Sequence, residues 1–329
     1  MGKWAIALHG GAGLDPHLPL HRQEEAKNLL AHCLNLGISA LRSNLSALDV
    51  VELVVRELET DPLFNSGRGA VLTEKGTVEM EASIMDGPKR RFGAVSGLST
   101  VKNPVSLARL VMDKSPHSYL AFSGAEEFAQ QQGVEMMEKE YFITQDNVGM
   151  LKQAKEAKAI LFDYRIPTTG LDSCGAEAEN ENPMMMNGVP LSVYAAETVG
   201  CVVVDIEGRC AAATSTGGLI NKMVGRIGDS PIIGSGTYAC KLCAISCTGE
   251  GESILRGTLA RDVAAVMEYK GLKLQEAVDF VIKERLDDGG KAGLIAVSNL
   301  GEVAFGFNTN GMFRATATQD GFMEIAVWE

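Results

Sequence analysis

The chain has 329 residues, of which 46% are hydrophobic, and this apolar content is enough to form a large core in one or two domains. The formal net charge of −12 excludes partners that bind clustered Lys and Arg, such as nucleic acid or an anionic membrane. No apolar run reaches the roughly 18–20 residues that cross a bilayer, and the first residues do not read as a secretory signal, so we expect a cytoplasmic protein.

The first half of the chain predicts alternating strands and helices. The apolar run 3–8 predicts a buried strand that ends at the glycine-rich turn 9–13. A loop containing Pro and Gly follows at 58–69, then a hairpin over 70–85 and a strand over 92–99. We expect the acidic residues of the hairpin to form a solvated or hydrogen-bonded strand face. Apolar residues recur at helical spacing in five stretches: Arg22–Leu36, Ser46–Leu58, Pro104–Met112, Ser123–Gln132 and Gln145–Lys158.

A polar, irregular stretch from about residue 160 to Glu197 separates the two halves and is interpreted as a flexible linker. It stops at Thr198, which begins a strand-like run that is followed by a turn and a second strand over 210–216. This arrangement predicts a chain that is cut between Glu197 and Thr198. A Thr hydroxyl is a weak nucleophile that needs a base, and a free α-amine with a pKa of about 7.7–8.0 supplies one within the same residue.

The second half predicts helices over 253–269 and 274–285, and strands over 294–298, 302–308 and 324–328. Strand pairs bracketed by helices in both halves suit two sheets packed face to face under outer helices. The expected fold class is therefore α/β, with four layers in the order αββα.

The cysteines raise a separate question, because Cys240 and Cys243 form a C-x-x-C pair among seven cysteines. A redox or zinc role is one interpretation of this pair. No second C-x-x-C or H-x-x-x-H pair completes a four-ligand site, and no strand–helix context marks a thioredoxin motif. We interpret the cysteines as buried, reduced thiols of the core.

The segments after Thr198 indicate a family more specifically than the position of Thr198 after a linker does. They closely resemble the plant-type L-asparaginases, also called isoaspartyl peptidases, of the N-terminal nucleophile hydrolase superfamily. The resemblance covers nearly the whole chain and implies the αββα sandwich of that superfamily. The segments that carry it are His9–Gly13, Thr198–Cys201, Thr216–Lys222, Gly225–Pro231, Gly234–Tyr238, Ser246–Gly251 and Asn308–Met312.

The resemblance implies the catalytic roles. Thr198 is the nucleophile and its own base, and Thr216 is a second threonine hydrogen-bonded beside it. The Thr248 hydroxyl and the Gly249 backbone N–H form the oxyanion hole. Asn65 is directed towards the nucleophile.

Arg226 and Asp229 suit a substrate that carries one free α-carboxylate and one α-ammonium. A guanidinium grips a carboxylate with two parallel hydrogen bonds, and a carboxylate pairs with the ammonium. The resemblance adds the Gly251 carbonyl as a second acceptor for the ammonium. The alternative is a surface ion pair of no functional consequence.

The resemblance implies no organic cofactor but two alkali-ion loops, which would supply hard oxygen ligands. Main-chain carbonyls of one loop would hold a structural sodium: Leu58, Glu59, Asp61, Phe64, Ser66 and Arg68. The second loop, with Val111, Ser115 and Ser118, would bind an activating potassium, because Ser118 adds an oxygen where an aliphatic cannot. His117 would gate that site; the alternative is an exposed histidine after a helix.

The implied protein is an autoproteolytic threonine amidohydrolase, with an α chain of residues 1–197 and a β chain of residues 198–329. It would hydrolyse L-asparagine and β-aspartyl dipeptides through an acyl-enzyme on Thr198 and pair into an (αβ)2 heterotetramer. Two alternatives remain open at this point. One is a glycosylasparaginase-like hydrolase, and the other is an uncleaved protein that binds aspartyl metabolites.

Overall fold

The computed structural model describes residues 2–14, 16–156, 185–186, 189–190, 198–286 and 289–328. Most of the predicted linker and Glu197 lie outside the described residues. The helices are α1 (Leu20–Arg42), α2 (Ala47–Thr60), α3 (Pro104–Lys114), α4 (Phe122–Gln131), α5 (Gln145–Glu156), α6 (Gly251–Gly257), α7 (Leu259–Lys270) and α8 (Leu274–Glu284). The strands of the first half are β1 (Ala5–Ala12), β2 (Met80–Asp86), β3 (Arg91–Leu98), β4 (Tyr119–Ala121), β5 (Met185–Met186) and β6 (Val189–Pro190). Those of the second half are β7 (Val199–Val204), β8 (Cys210–Thr216), β9 (Thr237–Ala239), β10 (Cys243–Gly249), β11 (Ala292–Ser298), β12 (Val303–Phe307), β13 (Met312–Thr318) and β14 (Met323–Ala326).

Two sheets form the inner layers of the molecule. The larger has eight strands in the order β14-β13-β1-β7-β8-β2-β3-β4, and the smaller has four in the order β12-β11-β10-β9. Their inner faces meet where β7 and β8 pack against β10. Helices α1, α2 and α3 cover the outer face of the large sheet, while α7 and α8 cover that of the small sheet. The predicted four-layer αββα sandwich is confirmed.

The alternation of side chains along each strand separates two hydrophobic cores. It also directs one row of residues towards the space between the sheets. In β8, Ala211 and Ala213 join the core under the first helices, whereas Cys210 and Ala212 join the core between the sheets and under α7. Successive side chains of a strand point to opposite faces. Thr214 and Thr216 therefore face the small sheet, as does Gly200 of β7.

Helix α2 shows how local sequence sets an element. The Ser46 hydroxyl accepts a hydrogen bond from the Asp49 N–H at 3.3 Å, which caps the first turn. The helix then buries one apolar stripe that includes Val50, Val54 and Leu58 against β7 and β8. It therefore begins where the sequence predicts.

Several element boundaries differ from the predictions. Strand β1 continues to Ala12 through a register shift after His9, so the strand does not end at the glycines. The predicted helix over 253–269 is two helices, because Thr258 adopts a left-handed φ of 48° between them. The predicted hairpin over 70–85 is wrong. The Thr73 N–H donates to the Thr77 carbonyl, so residues 73–77 form a tight turn. Strand β2 instead pairs with β3 and β8. Strand β13, which pairs with β1, was not predicted.

Candidate active site

Thr198 lies directly before β7 and is half-buried between the sheets. Its hydroxyl donates a hydrogen bond to the Thr216 hydroxyl at the end of β8, with 3.0 Å between the two oxygens. Thr216 also accepts the backbone N–H of Gly218 at 3.0 Å. The pairing of β7 with β8 sets this contact, because it places Val199 opposite Ser215. The structure therefore brings the two predicted threonines together.

Asn65 supports the turn that follows Thr216. Its side-chain amide donates to the Gly218 carbonyl at 2.7 Å, and its oxygen accepts the Val71 N–H at 2.9 Å. A Cβ on Gly217 would lie 2.4 Å from the Asn65 oxygen, so only glycine fits there. Asn65 thus acts through the main chain beside Thr216.

His9 holds Thr198 from the other side. Its Nδ1 lies 3.0 Å from the Thr198 carbonyl oxygen, and its Nε2 lies 2.8 Å from the Ser246 hydroxyl. A carbonyl only accepts, so Nδ1 carries the proton and Nε2 accepts from Ser246. Complete burial lowers the pKa of His9 to about 3, which keeps the ring neutral. A single tautomer is therefore fixed.

The His9 contact continues into a row of buried hydroxyls between the sheets. Ser246 lies 2.7 Å from the Thr214 hydroxyl, which in turn lies 2.6 Å from that of Thr237. With Thr237 donating to Thr214 and Thr214 donating to Ser246, every proton in the row points towards His9. This row is not evident from the sequence, because its members come from β8, β9 and β10 and share no local spacing. The one signal was an unusual density of Ser and Thr in apolar strands.

The predicted oxyanion donors lie at the same end of the sandwich. Thr248 is two residues beyond Ser246 on β10, so it shares the inner face and lies about 7 Å further along. Gly249 has a φ of 129°, and a Cβ there would lie 2.5 Å from the Lys291 carbonyl oxygen. Gly249 thus has a backbone conformation that glycine alone adopts readily, and this conformation sets the direction of its N–H.

Arg226, Asp229 and Gly251 converge, as the sequence predicts. A Cβ on Gly251 would lie 2.7 Å from Arg226 Nη2 and 3.0 Å from Asp229 Oδ1. Asp229 is buried, and its Oδ2 has no hydrogen-bond partner among the described residues. Burial raises the pKa of Asp229 to about 7, although the nearby Arg226 offsets part of this rise. The arrangement leaves a buried carboxylate oxygen available for a cationic ligand.

Arg226 does not pair with Asp229 through hydrogen bonds, because Glu252 holds it. Arg226 Nε and Nη2 each lie 3.0 Å from a Glu252 oxygen, which is the two-bond grip expected for a ligand carboxylate. Glu252 lies in the first turn of α6, one residue after Gly251, and was not predicted to take part. It is a carboxylate of the protein in the position suited to a substrate carboxylate.

A buried ion pair supports the loop that carries Arg226. Lys222 Nζ lies 3.7 Å from Glu81 of β2 and donates to the Glu79 carbonyl at 2.8 Å. Glu81 also accepts the Gly228 N–H at 3.0 Å. Burial lowers the pKa of Lys222. The acidic strand face is expected to be either solvated or hydrogen-bonded. The Glu79 and Glu81 side chains are hydrogen-bonded.

In the expected sodium loop, two glycines lie against main-chain carbonyl oxygens. A Cβ on Gly67 would lie 2.2 Å from the Glu59 carbonyl oxygen, and one on Gly69 would lie 2.0 Å from that of Phe64. The Leu58 carbonyl accepts the Ser66 hydroxyl at 3.4 Å. Among the described residues, no three His, Cys, Asp or Glu side chains cluster as metal ligands. Main-chain carbonyls are hard oxygen donors of the kind that an alkali ion takes.

The second loop lies at the surface between α3 and β4. The Val111 carbonyl accepts the Ser115 N–H at 3.2 Å, and the Ser115 hydroxyl accepts the His117 N–H at 2.9 Å. Ser118 is exposed, and its carbonyl accepts the Ala94 N–H at 2.9 Å. The oxygens are hard donors suited to an alkali ion, and His117 is exposed beside them.

The fold and this cluster define a class: the αββα sandwich of the N-terminal nucleophile hydrolases, with a threonine at the start of an inner strand. A family model described as Asparaginase matches residues 2–327, so the chain belongs to the Asparaginase family of hydrolases.

Curated relatives match nearly end to end. "Probable isoaspartyl peptidase/L-asparaginase 2" of Arabidopsis thaliana is 75% identical, with 100% of each chain covered. "Isoaspartyl peptidase" of Escherichia coli is 44% identical over 96% of this chain and 93% of its own. "Isoaspartyl peptidase/L-asparaginase" of Homo sapiens is 38% identical over 98% and 95%. No helix in the part of the chain described by the structure could span a membrane.

Proposed function

We propose that the protein is an autoproteolytically activated threonine hydrolase that acts on L-asparagine and on β-aspartyl dipeptides. The hydrogen bond from Thr198 to Thr216, held between the sheets, is the observation that supports this most directly. The names of the relatives, isoaspartyl peptidase and L-asparaginase, support the substrate class.

Activation would begin with the Thr198 hydroxyl attacking the carbonyl carbon of Glu197. The amide is exchanged for an ester, and water then hydrolyses that ester. The products are an α chain of residues 1–197 and a β chain of residues 198–329 with a free Thr198 amine. His9 supports this step because it fixes the Thr198 carbonyl on one side of the residue.

In catalysis the free amine takes the hydroxyl proton, and the Thr198 oxygen attacks the β-carbonyl of the substrate. The Thr248 hydroxyl and the Gly249 N–H stabilise the oxyanion. Ammonia or an amino acid leaves with the proton, and water releases aspartate from the acyl-enzyme. Thr216 accepts a hydrogen bond from the nucleophile and holds its oxygen in place.

Recognition of the α-groups falls to Arg226, Asp229 and Gly251. The unpartnered Asp229 oxygen supports an ammonium contact, and the two-bond grip of Arg226 on Glu252 supports a carboxylate contact. Asparagine and β-aspartyl dipeptides place their scissile bond at the same distance from these groups. One site therefore accepts both.

The alkali ions and the assembly belong to the same proposal. A sodium held by the carbonyls of loop 58–68 would fix that loop, which contains Asn65. A potassium at Val111, Ser115 and Ser118 would activate the enzyme, with His117 beside it. Two αβ units would pair into (αβ)2. Comparing asparaginase rates in sodium and potassium chloride at equal ionic strength, with Ser118→Ile alongside, tests the potassium role; identical rates would end it.

The first experiment is the intact mass of the purified protein over time, beside Thr198→Ala. We expect two fragments in the wild type, the smaller beginning at Thr198, and an intact chain in the variant. A wild-type chain that stays whole and binds aspartate without turnover would instead support a binding protein.

A further inference from the structure

The C-x-x-C pair lies at the turn between β9 and β10, at the opposite end of β10 from Thr248. Ala239 and Ala244 are paired across the two strands, so the next residues, Cys240 and Cys243, stand directly opposite each other. The Cys240 N–H donates to the Cys243 carbonyl at 2.9 Å. The two sulfur atoms are 3.9 Å apart. The hairpin register itself therefore holds the thiols together.

The two thiols have different surroundings. Cys240 is partly exposed, whereas Cys243 is buried under α7. The Cys240 sulfur accepts the Leu242 N–H at 3.4 Å, and the Cys243 thiol is placed to donate to it. These hydrogen bonds, with the positive charge of Arg261, lower the pKa of Cys240 to about 6, and the same contact raises that of Cys243. One thiol is partly exposed and has a lowered pKa, which favours reactivity, whereas its neighbour is buried.

A metal site does not explain the pair. Structural zinc takes four ligands from Cys, His or carboxylates. In the described ranges, no group of three such side chains is close enough to hold a metal ion. The six cysteines within those ranges are all free thiols.

We propose that Cys240 and Cys243 form a thiol–disulfide exchange site that takes low-molecular-weight disulfides of the oxidised glutathione type. The Cys240 thiolate attacks one sulfur of the disulfide, forms a mixed disulfide and releases one glutathione thiolate. That thiolate takes the Cys243 proton. The Cys243 sulfur then attacks Cys240, the Cys240–Cys243 bond forms, and the second glutathione leaves. Two electrons pass from the dithiol to oxidised glutathione.

The spacing of paired strands in a hairpin suits the product. Residues directly opposite in a hydrogen-bonded antiparallel pair have Cα atoms about 5.5 Å apart. Disulfides favour Cα distances of about 5.5–6 Å. Bond formation requires the 3.9 Å separation of the sulfurs to shorten to about 2 Å, which rotation of the side chains would achieve. The site is separate from Thr198, so it does not rest on the proposed hydrolysis.

The position of Lys241 between the cysteines makes the bond easy to detect. Trypsin cuts after Lys241 and separates peptide 227–241 from peptide 242–256. Purified protein is incubated with oxidised and reduced glutathione at graded ratios, blocked with an alkylating agent, and digested without reductant. We expect the two peptides to be joined by one disulfide at oxidising ratios and separate at reducing ratios. If the peptides stay separate at every ratio, the proposal is wrong.

Single variants test the order of the steps, with circular dichroism confirming that each is folded. In Cys243→Ser, glutathione should accumulate on Cys240. In Cys240→Ser, the buried Cys243 should stay unmodified. The matched control is Cys247→Ala, because Cys247 lies in the same tryptic peptide as Cys243 and is buried. A disulfide that disappears in Cys247→Ala but persists in Cys243→Ser would place the chemistry elsewhere and overturn the assignment.

Discussion

The site has two halves of different chemistry. The neutral half is built from uncharged groups that surround the Thr198 backbone and hydroxyl: Thr198, Thr216, His9, Ser246 and Thr214. The charged half consists of Arg226, Asp229 and Glu252, which surround the expected position of the α-carboxylate and α-ammonium, and of the Lys222–Glu81 ion pair, which supports the loop that carries Arg226. Proton transfer and oxyanion formation at Thr198 gain from a dry, fixed environment. Recognition of a zwitterion requires charges.

The difference predicts separable effects. Autocleavage acts on the bond before Thr198 and does not need the α-groups of a substrate, so it should depend on the neutral half alone. Hydrolysis of asparagine should depend on both halves. Substitutions in the neutral half should slow both reactions, and substitutions in the charged half should slow only the second.

The largest effect is expected from Gly200→Ala. The added Cβ would lie 2.0 Å from the Ser246 hydroxyl oxygen and 2.4 Å from His9 Nε2, so it must break their hydrogen bond. We expect autocleavage to slow by about 10²–10³-fold, as for loss of a positioned catalytic hydrogen bond. Time courses of intact mass measure this. Gly124→Ala is the matched control, because a Cβ there meets no atom within 4 Å. Equal cleavage rates in the two variants would remove His9 and Ser246 from the neutral half.

Asp229→Asn should give the next largest effect, and only on turnover. It removes the buried charge that faces the substrate ammonium, and truncating such a pair costs about 2–5 kcal/mol. We therefore expect kcat/KM for asparagine to fall by about 10²-fold or more, with autocleavage changed less than about twofold. Loss of cleavage in this variant would contradict the separation of the halves.

The same residue gives a pH dependence. Because burial raises the pKa of Asp229 to about 7, the carboxyl is protonated below that pH and cannot pair with an ammonium. In the wild type, kcat/KM should fall as the pH drops below about 7. In Asp229→Asn this part of the profile should disappear, leaving the titration of the Thr198 amine near about 7.7–8.0.

His9 predicts an effect on stability. Its pKa is lowered to about 3, below the ordinary value of 6.5. Between these pH values the unfolded chain binds a proton that the folded chain does not. Stability should therefore fall as the pH is lowered from 6.5, by up to about 1.4 kcal/mol per pH unit. Urea unfolding at several pH values, in a Thr198→Ala background that keeps one chain, measures the free energy of unfolding. This free energy should change less steeply with pH in His9→Asn. The control is His117→Asn, because His117 is exposed. An equal pH dependence of stability in all three proteins would argue against a buried, neutral His9.

Features that are local along the chain could be predicted from the sequence, whereas contacts that the packing of the sheets creates could not. Thr198, Thr216 and the pair Arg226 and Asp229 stand in short motifs. Ser246 and Thr214 form a row with His9 only because β10 packs across β7 and β8. The spacing of these residues along the sequence does not indicate that packing. Glu252 was missed because its role depends on where Arg226 points. The break at Thr258 was missed because the apolar periodicity continues through it.

The smallest effect concerns Glu252, and its sign distinguishes two roles. If Glu252 occupies the place of the substrate carboxylate on Arg226, Glu252→Gln should lower KM for asparagine by about two- to fivefold, because a competing charge is removed. The gain is small because the pair is partly exposed and solvent screens it. If Glu252 instead orients Arg226 for the substrate, KM should rise. Glu268→Gln on α7 breaks a comparable exposed pair with Arg261 and should leave KM unchanged. A rise in KM would place Glu252 among the supports of the charged half rather than in competition with the ligand, and Arg226 would then bind the substrate through its remaining N–H groups.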